Sequence, residues 1–492
     1  MTTLISKWLL LSALGNASGL LPSEIGEWGA VFPFPTLPIH SHLLPSGKVL
    51  FWDRHDVPDG DGHPRQWDPA SGQFEMDAEP PEGHDLFCSG HTFLADGRLF
   101  AAGGHFEVQL GQPFAALYDP KTPLWTAAPE MNAGRWYPSA TTLSDGRALV
   151  LSGTDEGAAP NQLPQIYDPR SDAWLDLTDA LLSLPNYPML FLAPDGSGFV
   201  AGPAPQARRL DVTEAGGWTD VATGLNGGRG SGSAAMYEPG RILVAGGGGG
   251  PQASAEVIDL NSPSPAFREV AAMSVARRHF NLTILADGTV LATGGTSLPG
   301  NNALGAVLAS ELWDPDTESW TSLASMSVPR LYHSVALLLP DARVLAAGGG
   351  HPSDTANGDP DHLDGEIFSP PYLFRGARPV ILSARASVAL GEAFVVLTQP
   401  DPEPTRVTWV RLSSVTHSFN MNQRFVELDS RPVPGGRLAI APSSSHLAPP
   451  GHYLMFVLDA KGIPSVAAMV LLQEGLFSDG FERGNLSAWA AQ

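Results

Sequence analysis

The sequence predicts an all-β protein made of a seven-bladed β-propeller followed by an immunoglobulin-like β-sandwich. Two observations predict this fold: a strand–turn–strand unit recurs seven times, and the recurrence stops near residue 375 while short apolar runs continue. The glycine and proline counts are high, at 53 and 45, and only 16% of residues are charged, which is typical of many short strands separated by turns. A chain of 492 residues is also too long for one compact core.

Each repeated unit consists of an apolar run, a turn at Asp-Gly or a close substitute, and a strand that ends in small residues. Most units also contain an aromatic-Asp-Pro turn, often with a tryptophan a few residues later, as at Tyr118-Asp119-Pro120 and Trp125. The turns recur about every 50 residues, which is the kelch period and is long enough for a four-stranded sheet. The seven turn segments are 44–52, 95–104, 144–153, 194–202, 238–247, 286–295 and 340–349. Arranged around a channel, these sheets predict a kelch-type propeller over residues 26–375.

Three parts of the sequence lack the repeat: the two ends of the chain and the segment that follows the seventh unit. After Pro370-Pro371 the repeat is lost, and residues 376–473 alternate short apolar runs with turn residues, as in an immunoglobulin-like sandwich. Residues 474–492 are predicted to form a tail without periodicity. Residues 1–25 are predicted to form a leader or arm, because Lys7 precedes a short apolar run of signal-peptide type. We therefore expect an extracytoplasmic protein.

Composition excludes several classes of partner. The net charge of -23 argues against nucleic acid and against anionic membrane surfaces. No apolar run reaches the length of a membrane span. The single cysteine, Cys88, excludes an intramolecular disulfide. We expect a monomer that acts on a small molecule.

Chemistry-bearing side chains recur at one place in the repeat, eight residues before the turn residue of each unit. Such positions on successive blades should lie at one level around the channel. They are Pro38, Cys88, Tyr137, Tyr187, Ser231, His279 and His333, with Tyr332 directly before the last. Buried phenols and imidazoles need hydrogen bonds or a metal, and imidazole with oxygen donors suits Cu(II). The spacing leaves two interpretations open: a metal site, or polar side chains around a water-filled channel.

At these residues the chain resembles the galactose oxidase and glyoxal oxidase family of mononuclear copper-radical oxidases, from Trp28 to Gln473. The stretch His84-Asp-Leu-Phe-Cys88 resembles the family segment with the cysteine of a Tyr–Cys thioether, and Arg135-Trp136-Tyr137 resembles the segment with its tyrosine. Tyr332-His333 matches the axial tyrosine and the first histidine ligand. The loop Val415-Thr-His417-Ser-Phe-Asn matches the one that supplies the second histidine.

The resemblance implies one copper ion, held by Tyr137, Tyr332, His333 and His417, and a Cys88–Tyr137 thioether that stores a radical. Tyr332 would act as the general base. The implied substrates are a small aldehyde, alcohol or carbohydrate together with O2, which leaves as H2O2. Cys88 and Tyr137 are one repeat apart, so they occupy equivalent positions on neighbouring blades, where such a bond is feasible.

The sequence departs from galactose oxidase where the family has a tryptophan stacked over the thioether. Asp155 stands at that place, so the shielding role either passes to another residue such as Trp136 or is lost. The resemblance places His279 at the level that lines the family's substrate pocket, where it either lies near substrate or is a hydrogen-bonded histidine of the channel. Both features favour a glyoxal-oxidase-like enzyme over a galactose-specific one. Arg229, in Gly-Gly-Arg-Gly-Ser-Gly, either faces substrate at the channel mouth or lies exposed in a turn.

A rival interpretation is a non-catalytic kelch propeller that binds a protein or a glycan. Such a module needs the repeats, but it has no use for Cys88, Tyr137, Tyr332-His333 and His417 together.

Overall fold

The computed structural model describes residues 19–54, 62–351 and 357–474. The predicted leader up to residue 18 and the predicted tail from residue 475 lie outside these ranges. The described chain is almost entirely β-structure, with one short helix, α1 (Pro22–Ile25), and two 3-10 turns, Ala303–Gly305 and Pro371–Phe374. None of its described helices is long and apolar enough to cross a lipid bilayer.

The first 31 strands build the repeated part of the chain. In order, β1–β31 are Glu27–Trp28, Phe32–Pro33, His40–Leu43, Val49–Trp52, Arg65–Trp67, Phe74–Met76, Gly90–Phe93, Leu99–Ala102, His105–Glu107, Leu110–Gly111, Ala115–Asp119, Leu124–Ala128, Ser139–Thr142, Ala148–Leu151, Gln165–Asp168, Ala173–Asp176, Leu190–Leu192, Gly198–Val200, Gln206–Asp211, Gly217–Thr223, Ser233–Glu238, Arg241–Ala245, Ala255–Asp259, Phe267–Val270, Arg278–Ile284, Val290–Thr296, Ala309–Asp314, Ser319–Ser325, Ser334–Leu338, Val344–Gly348 and Asp364–Ser369.

Apart from β9 and β10, which pair with each other, these strands form seven antiparallel sheets, so the predicted seven-bladed propeller is confirmed. Blades 1 to 6 are built on β3–β6, on β7, β8, β11 and β12, and on β13–β16, β17–β20, β21–β24 and β25–β28. Blade 7 combines β29–β31 with β1, which pairs through Trp28 and Phe368. The first strands of several neighbouring blades touch one another, including β7 with β13, β25 with β29, and β29 with β3. The start of the chain therefore closes the ring at its last blade.

The turn residues explain why the repeat folds locally. The Asp96 and Asp145 side chains accept the amide N–H two residues later, at 3.0 and 3.2 Å, which fixes the turn without tertiary help. Gly97 follows with a positive φ of 90°, a conformation that costs glycine little. In the seventh unit Ala342 occupies the corresponding place at φ 68°, so this alanine is held in the left-handed region by its surroundings.

Buried arginines fasten the inner part of four blades. Each donates to a backbone carbonyl near the end of the blade's second strand, at 2.9–3.1 Å; they are Arg135, Arg229, Arg277 and Arg330. Three of them also pair with a carboxylate, and the Arg277–Glu311 pair, at 2.5 Å, is almost completely buried. A buried cation that lost its partner would retain the full cost of its removal from water.

Glu311→Leu is expected to lower the unfolding midpoint strongly, because Arg277 would remain buried without its carboxylate. The expected decrease in the free energy of unfolding is about 3–5 kcal/mol. Thermal or urea unfolding followed by circular dichroism measures it. Glu318→Leu, which removes the exposed partner of Arg268, is the matched control and should cost at most about 1 kcal/mol. Equal shifts for the two variants would contradict the role of the buried pair.

The second domain contains strands β32–β42: Ile381–Ser383, Ser387–Ala389, Ala393–Thr398, Pro404–Arg411, Ser414–Thr416, Phe419–Asn420, Phe425–Leu428, Ser430–Val433, Gly436–Ile440, Gly451–Asp459 and Ala468–Gln473. Nine of them form two sheets, of four strands (β32-β34-β40-β39) and five strands (β33-β42-β41-β35-β38). Trp409 is completely buried in its core.

The remaining two strands leave the second domain and enter the propeller. β36 pairs with β3, the first strand of blade 1, with His40 opposite Thr416 and His42 opposite Ser414. β37 extends the same sheet to six strands and contacts the inner strands of blades 5 and 6. We call Ser414–Asn420 the inserted hairpin. Because it lies against the inner strands of several blades, it carries His417 into the channel.

Candidate metal centre

The predicted ring positions share an unusual backbone conformation. Six of the seven have a positive φ although none is glycine: Cys88 (64°), Tyr137 (66°), Tyr187 (46°), Ser231 (59°), His279 (56°) and His333 (68°). A left-handed conformation costs a non-glycine residue roughly 1–2 kcal/mol. Because this conformation recurs, it supports the structural equivalence of these positions from blade to blade. The positive φ also breaks the regular extended backbone at each of them.

Two blades and the inserted hairpin bring four donor side chains together. The hydroxyl groups of Tyr137 and Tyr332 are hydrogen-bonded to each other. The ring of His417 lies 4.6 Å from the ring of Tyr137 and 4.8 Å from that of His333, measured between centroids. Tyr332 and His333 stack at 4.0 Å. Tyr137, Tyr332 and His417 keep partial exposure, so a small molecule can reach them.

Cys88 lies on the neighbouring blade, completely buried. Its carbonyl accepts the amide N–H of Tyr137 at 2.9 Å, and Tyr137 packs against the small apolar cluster that contains Cys88 and Phe87. The structure therefore places the single thiol of the chain beside the phenol that the sequence pairs with it.

Both faces of the Tyr137 ring are covered by aromatic rings. Trp136 stacks on one face at 3.8 Å with the planes 8° apart, and Tyr187 stacks at 4.5 Å and 25°. The Tyr187 hydroxyl donates to the carbonyl of Ser89 at 3.0 Å, which holds this second ring in place. Two stacked aromatic rings thereby cover the faces of the Tyr137 ring.

The two histidines present their Nε2 atoms to the same space. His417 Nδ1 pairs with the Thr416 hydroxyl at 2.6 Å, and His333 Nδ1 pairs with the carbonyl of Gly350 at 3.0 Å. A carbonyl only accepts, so His333 Nδ1 carries the proton, and the Arg54 guanidinium at 3.2 Å is then a close contact rather than a donor to that nitrogen. Both Nε2 atoms are buried and have no hydrogen-bond partner among the described residues.

Burial sets the protonation of this set. It lowers the pKa of His333 and His417 well below the usual value, so both imidazoles are neutral and offer a lone pair. Burial likewise raises the pKa of the Tyr137 and Tyr332 phenols, and the nearby Cys88 adds to the effect. A bound cation would reverse the phenol shift by supplying positive charge at the oxygens. Two orphaned imidazole nitrogens and two phenol oxygens therefore fit a copper ion.

This donor set depends on its phenols. Among the residues that the structure describes, no three His, Cys, Asp or Glu side chains are arranged to hold a metal. The cluster is recognisable only when tyrosine oxygen is counted as a ligand.

His279 lies against this cluster from blade 6. Its ring meets the Tyr332 ring edge-on at 5.1 Å, and burial lowers its pKa to about 3, so the imidazole is neutral. His351 approaches Tyr332 from another side at 5.6 Å. Two imidazole rings thus lie beside Tyr332.

Two of the predicted residues lie elsewhere. Asp155 accepts the amide N–H groups of Gly157 and Ala159, at 2.8 and 2.9 Å, within its own turn. Arg229 is neither exposed nor directed at substrate, which corrects the sequence-based expectation. It is buried and bound to Glu256 at 2.8 Å, because it is one of the four arginines that fasten the blades.

Sequence reasoning left two contributors out of the site, Tyr187 and Arg54. Tyr187 had a signal, since it stands at the same repeat position as Tyr137. The structural role of Arg229 outside the site also had a signal: Arg135, Arg229 and Arg277 each stand two residues before a ring position, a regularity typical of structure. Arg54, which contacts His333 and pairs with Asp361 at 2.7 Å, follows strand β4 of blade 1 without any local pattern.

The chain has relatives with this architecture. Residues 378–472 match the family model described as galactose oxidase-like, Early set domain. The chain is 30% identical to a galactose oxidase of Gibberella zeae, over 91% of this chain and 70% of the relative. It is 35% identical to the aldehyde oxidase GLOX of Vitis pseudoreticulata, over 44% of this chain and 45% of that protein.

A solved structure matches nearly the whole fold. A fungal alcohol oxidase of the AA5 family, determined in complex with copper, superimposes with a TM-score of 0.82 and 27% identity. The match covers 92% of this chain and all of the other.

Proposed function

The chain belongs to the galactose oxidase family, and from that membership we propose that it oxidises small aldehydes or primary alcohols with dioxygen and releases hydrogen peroxide. Family membership makes it an oxidase and supports copper as its metal. The observation that carries the proposal is the meeting of two phenols with two buried, unpartnered Nε2 atoms. We favour a glyoxal-oxidase-like substrate range over a galactose-specific one.

Tyr137, Tyr332, His333 and His417 would hold the metal. Bound copper would polarise the substrate oxygen and accept one of the two electrons that the substrate loses. The Gly350 carbonyl and the Thr416 hydroxyl would keep both imidazoles in the tautomer that presents Nε2. These outer partners come from the backbone and from the inserted hairpin, so the ligand geometry depends on docking of the second domain.

The two tyrosines would divide the chemistry. Tyr332 Oη would take the substrate hydroxyl proton as a general base. Tyr137, modified by a thioether to Cys88 and oxidised to a phenoxyl radical, would take a hydrogen atom from the substrate carbon. The substrate thereby loses two electrons and two protons in all, and dioxygen takes them up as hydrogen peroxide.

The environment of Tyr332 supports small, hydrated substrates. His279 and His351 place two imidazole rings beside it, at 5.1 and 5.6 Å. Imidazole can donate to or accept from a hydroxyl group, so a gem-diol or a primary alcohol finds hydrogen-bond partners here. We further expect the protein to act as a monomer outside the cytoplasm, where peroxide is released away from cellular contents.

A peroxide-coupled assay of the copper-loaded chain tests the function. Glyoxal-type aldehydes, primary alcohols and sugars are compared at equal concentration, and dioxygen uptake is recorded in parallel. We expect one peroxide for each dioxygen consumed, with aldehydes or small alcohols ahead of galactose. A copper-bound chain that forms no peroxide with any of them would support the binding-module interpretation instead.

Trp136→Leu is expected to shorten the lifetime of the oxidised Tyr137 form roughly fivefold, because a stacked aromatic pair contributes about 1 kcal/mol. The decay of the radical absorbance or of its paramagnetic signature measures the lifetime. Trp136→Phe keeps a ring face and should retain most of it. Trp174→Leu, on the outer strand β16, is the control. An unchanged lifetime in Trp136→Leu would refute the shielding role.

A further inference from the structure

Three histidines form a buried chain beside the candidate centre, outside the four proposed ligands. His40 and His42 lie on β3 of blade 1, and His91 lies on β7 of blade 2. All three are completely shielded from solvent. Alternation along β3 places residues 40 and 42 on the same face, where an apolar pair would suffice for packing. Polar side chains buried this deeply require defined hydrogen-bond partners.

The hydrogen-bond contacts of these three histidines form one continuous series that begins at Cys88 and ends at His42. The amide N–H of Cys88 lies 3.1 Å from His40 Nε2, and His40 Nδ1 lies 3.1 Å from His91 Nε2. His91 Nδ1 is 2.6 Å from the hydroxyl of Ser414, which lies 2.9 Å from His42 Nδ1. The chain of contacts therefore links blades 1 and 2 to the inserted hairpin.

One fixed donor determines the protons of this chain as far as Ser414. The backbone amide of Cys88 can only donate, so His40 Nε2 accepts and the neutral ring carries its proton on Nδ1. His40 Nδ1 donates to His91 Nε2, so His91 carries its proton on Nδ1 and donates it to the Ser414 hydroxyl. The Ser414 hydroxyl has two acceptors within reach, His42 Nδ1 at 2.9 Å and the His91 carbonyl at 3.4 Å. Burial lowers the pKa of His91 to about 3, in agreement with uncharged rings.

Within this series of contacts, the hydrogen bond between Cys88 and His40 is the one that bears on chemistry. Cys88 has a φ of 64°, which an L-residue adopts only when its surroundings hold it. Its carbonyl is held by the Tyr137 amide and its amide is held by His40, so both peptide groups that flank the residue are fixed. The ring of His40 also meets the His417 ring at 5.8 Å.

We propose that His40 is a positioning residue for thioether formation, which holds Cys88 in the conformation that presents its Sγ to the Tyr137 ring. This inference rests on the proposed function. The step forms one C–S bond and breaks one S–H and one aromatic C–H bond. Two protons and two electrons leave, and dioxygen accepts them as hydrogen peroxide in the presence of bound copper. The Cys88 amide sets the tautomer of His40, and His91 and Ser414 tie His40 to the inserted hairpin.

The test follows the cross-link itself rather than turnover. Wild type, His40→Phe and His40→Gln are purified without copper, and copper is then added in air. Denaturing-gel mobility and intact mass, which falls by two hydrogens, give the rate of cross-linking. We expect His40→Phe to cross-link roughly tenfold more slowly, because a buried donor loses its acceptor. His40→Gln keeps an acceptor oxygen and should recover most of the rate.

A matched control separates positioning from stability. Thr92, on the same strand as His91, donates to the Asn422 side chain at 2.9 Å and so also ties blade 2 to the second domain. Thr92→Val removes this buried link without touching the histidine chain, and it should cross-link at the wild-type rate. If Thr92→Val is slowed as much as His40→Phe, the positioning role is refuted.

Three further outcomes decide the matter. If His40→Phe does not fold, His91→Leu removes the acceptor for His40 Nδ1 instead and should slow cross-linking several-fold; an unchanged rate refutes the proposal. Equal rates for wild type and a folded His40→Phe also refute it, while leaving the oxidase function intact. A wild-type chain that binds copper and gains no cross-link would overturn the radical cofactor itself.

Discussion

Cys88→Ala is expected to abolish the gel-mobility shift of the copper-treated chain and to lower peroxide production at least roughly a thousandfold, which is about 4 kcal/mol of lost transition-state stabilisation. The reason is that Cys88 is the single cysteine of the chain, so no other thiol can modify Tyr137. Without the sulfur substituent the phenol is harder to oxidise, and the one-electron store is lost. Steady-state peroxide assays and denaturing gels measure both effects.

Ser231→Ala provides the control for this substitution. Ser231 occupies the equivalent position on blade 5 with nearly the same φ, 59° against 64° for Cys88. An alanine there tests the cost of a small side chain in a left-handed backbone, separate from the loss of the thiol. We expect activity close to wild type. If Cys88→Ala retained wild-type turnover, the thioether would have no part in the reaction.

His417→Ala is expected to weaken copper binding at least about a hundredfold, since it removes one of the proposed imidazole ligands rather than an outer partner. Copper that stabilises the wild type by about 4 kcal/mol at a thousandfold excess over Kd would then add only about 1.4 kcal/mol. Thermal unfolding with and without copper measures this gain, and titration against a competing chelator measures the affinity. The inserted hairpin should dock in both proteins, because its strand pairing to β3 does not require the imidazole.

His63→Ala is the matched control for the metal measurement. His63 is a partly exposed imidazole that pairs with Glu79 at 2.6 Å. Its replacement should leave both the copper affinity and the copper-dependent rise in unfolding temperature unchanged. A His417→Ala variant that binds copper as tightly as His63→Ala would remove His417 from the ligand set.

Much of the site could be read from the repeat, because the repeat fixes local geometry. A turn aspartate that caps its own backbone folds the same way in every unit, so residues at one offset from it occupy one level of the ring. This is why Cys88, Tyr137, His279 and His333 could be grouped before any contact was known. Their shared left-handed backbone is the structural expression of that offset.

Other features had no local signal, since they depend on segments far apart in the chain. Trp136 stacks on Tyr137, the next residue, whose backbone has a positive φ of 66°, whereas the Asp155 side chain accepts amides of its own turn. The aligned position in the sequence did not show which residue would face the phenol. The histidine chain likewise needs Ser414, which lies more than three hundred residues after His91.

The sequence by itself determined the architecture of this protein and most of its proposed ligand set, because alternation, turn chemistry and repeat offset act within a few residues. Only the tertiary structure decided how the set is completed. β36 adds to the sheet of blade 1 and carries His417 into the channel, and β1 closes blade 7. Pairing between distant strands is selected by the fit of whole domains, and no short stretch of sequence specifies it.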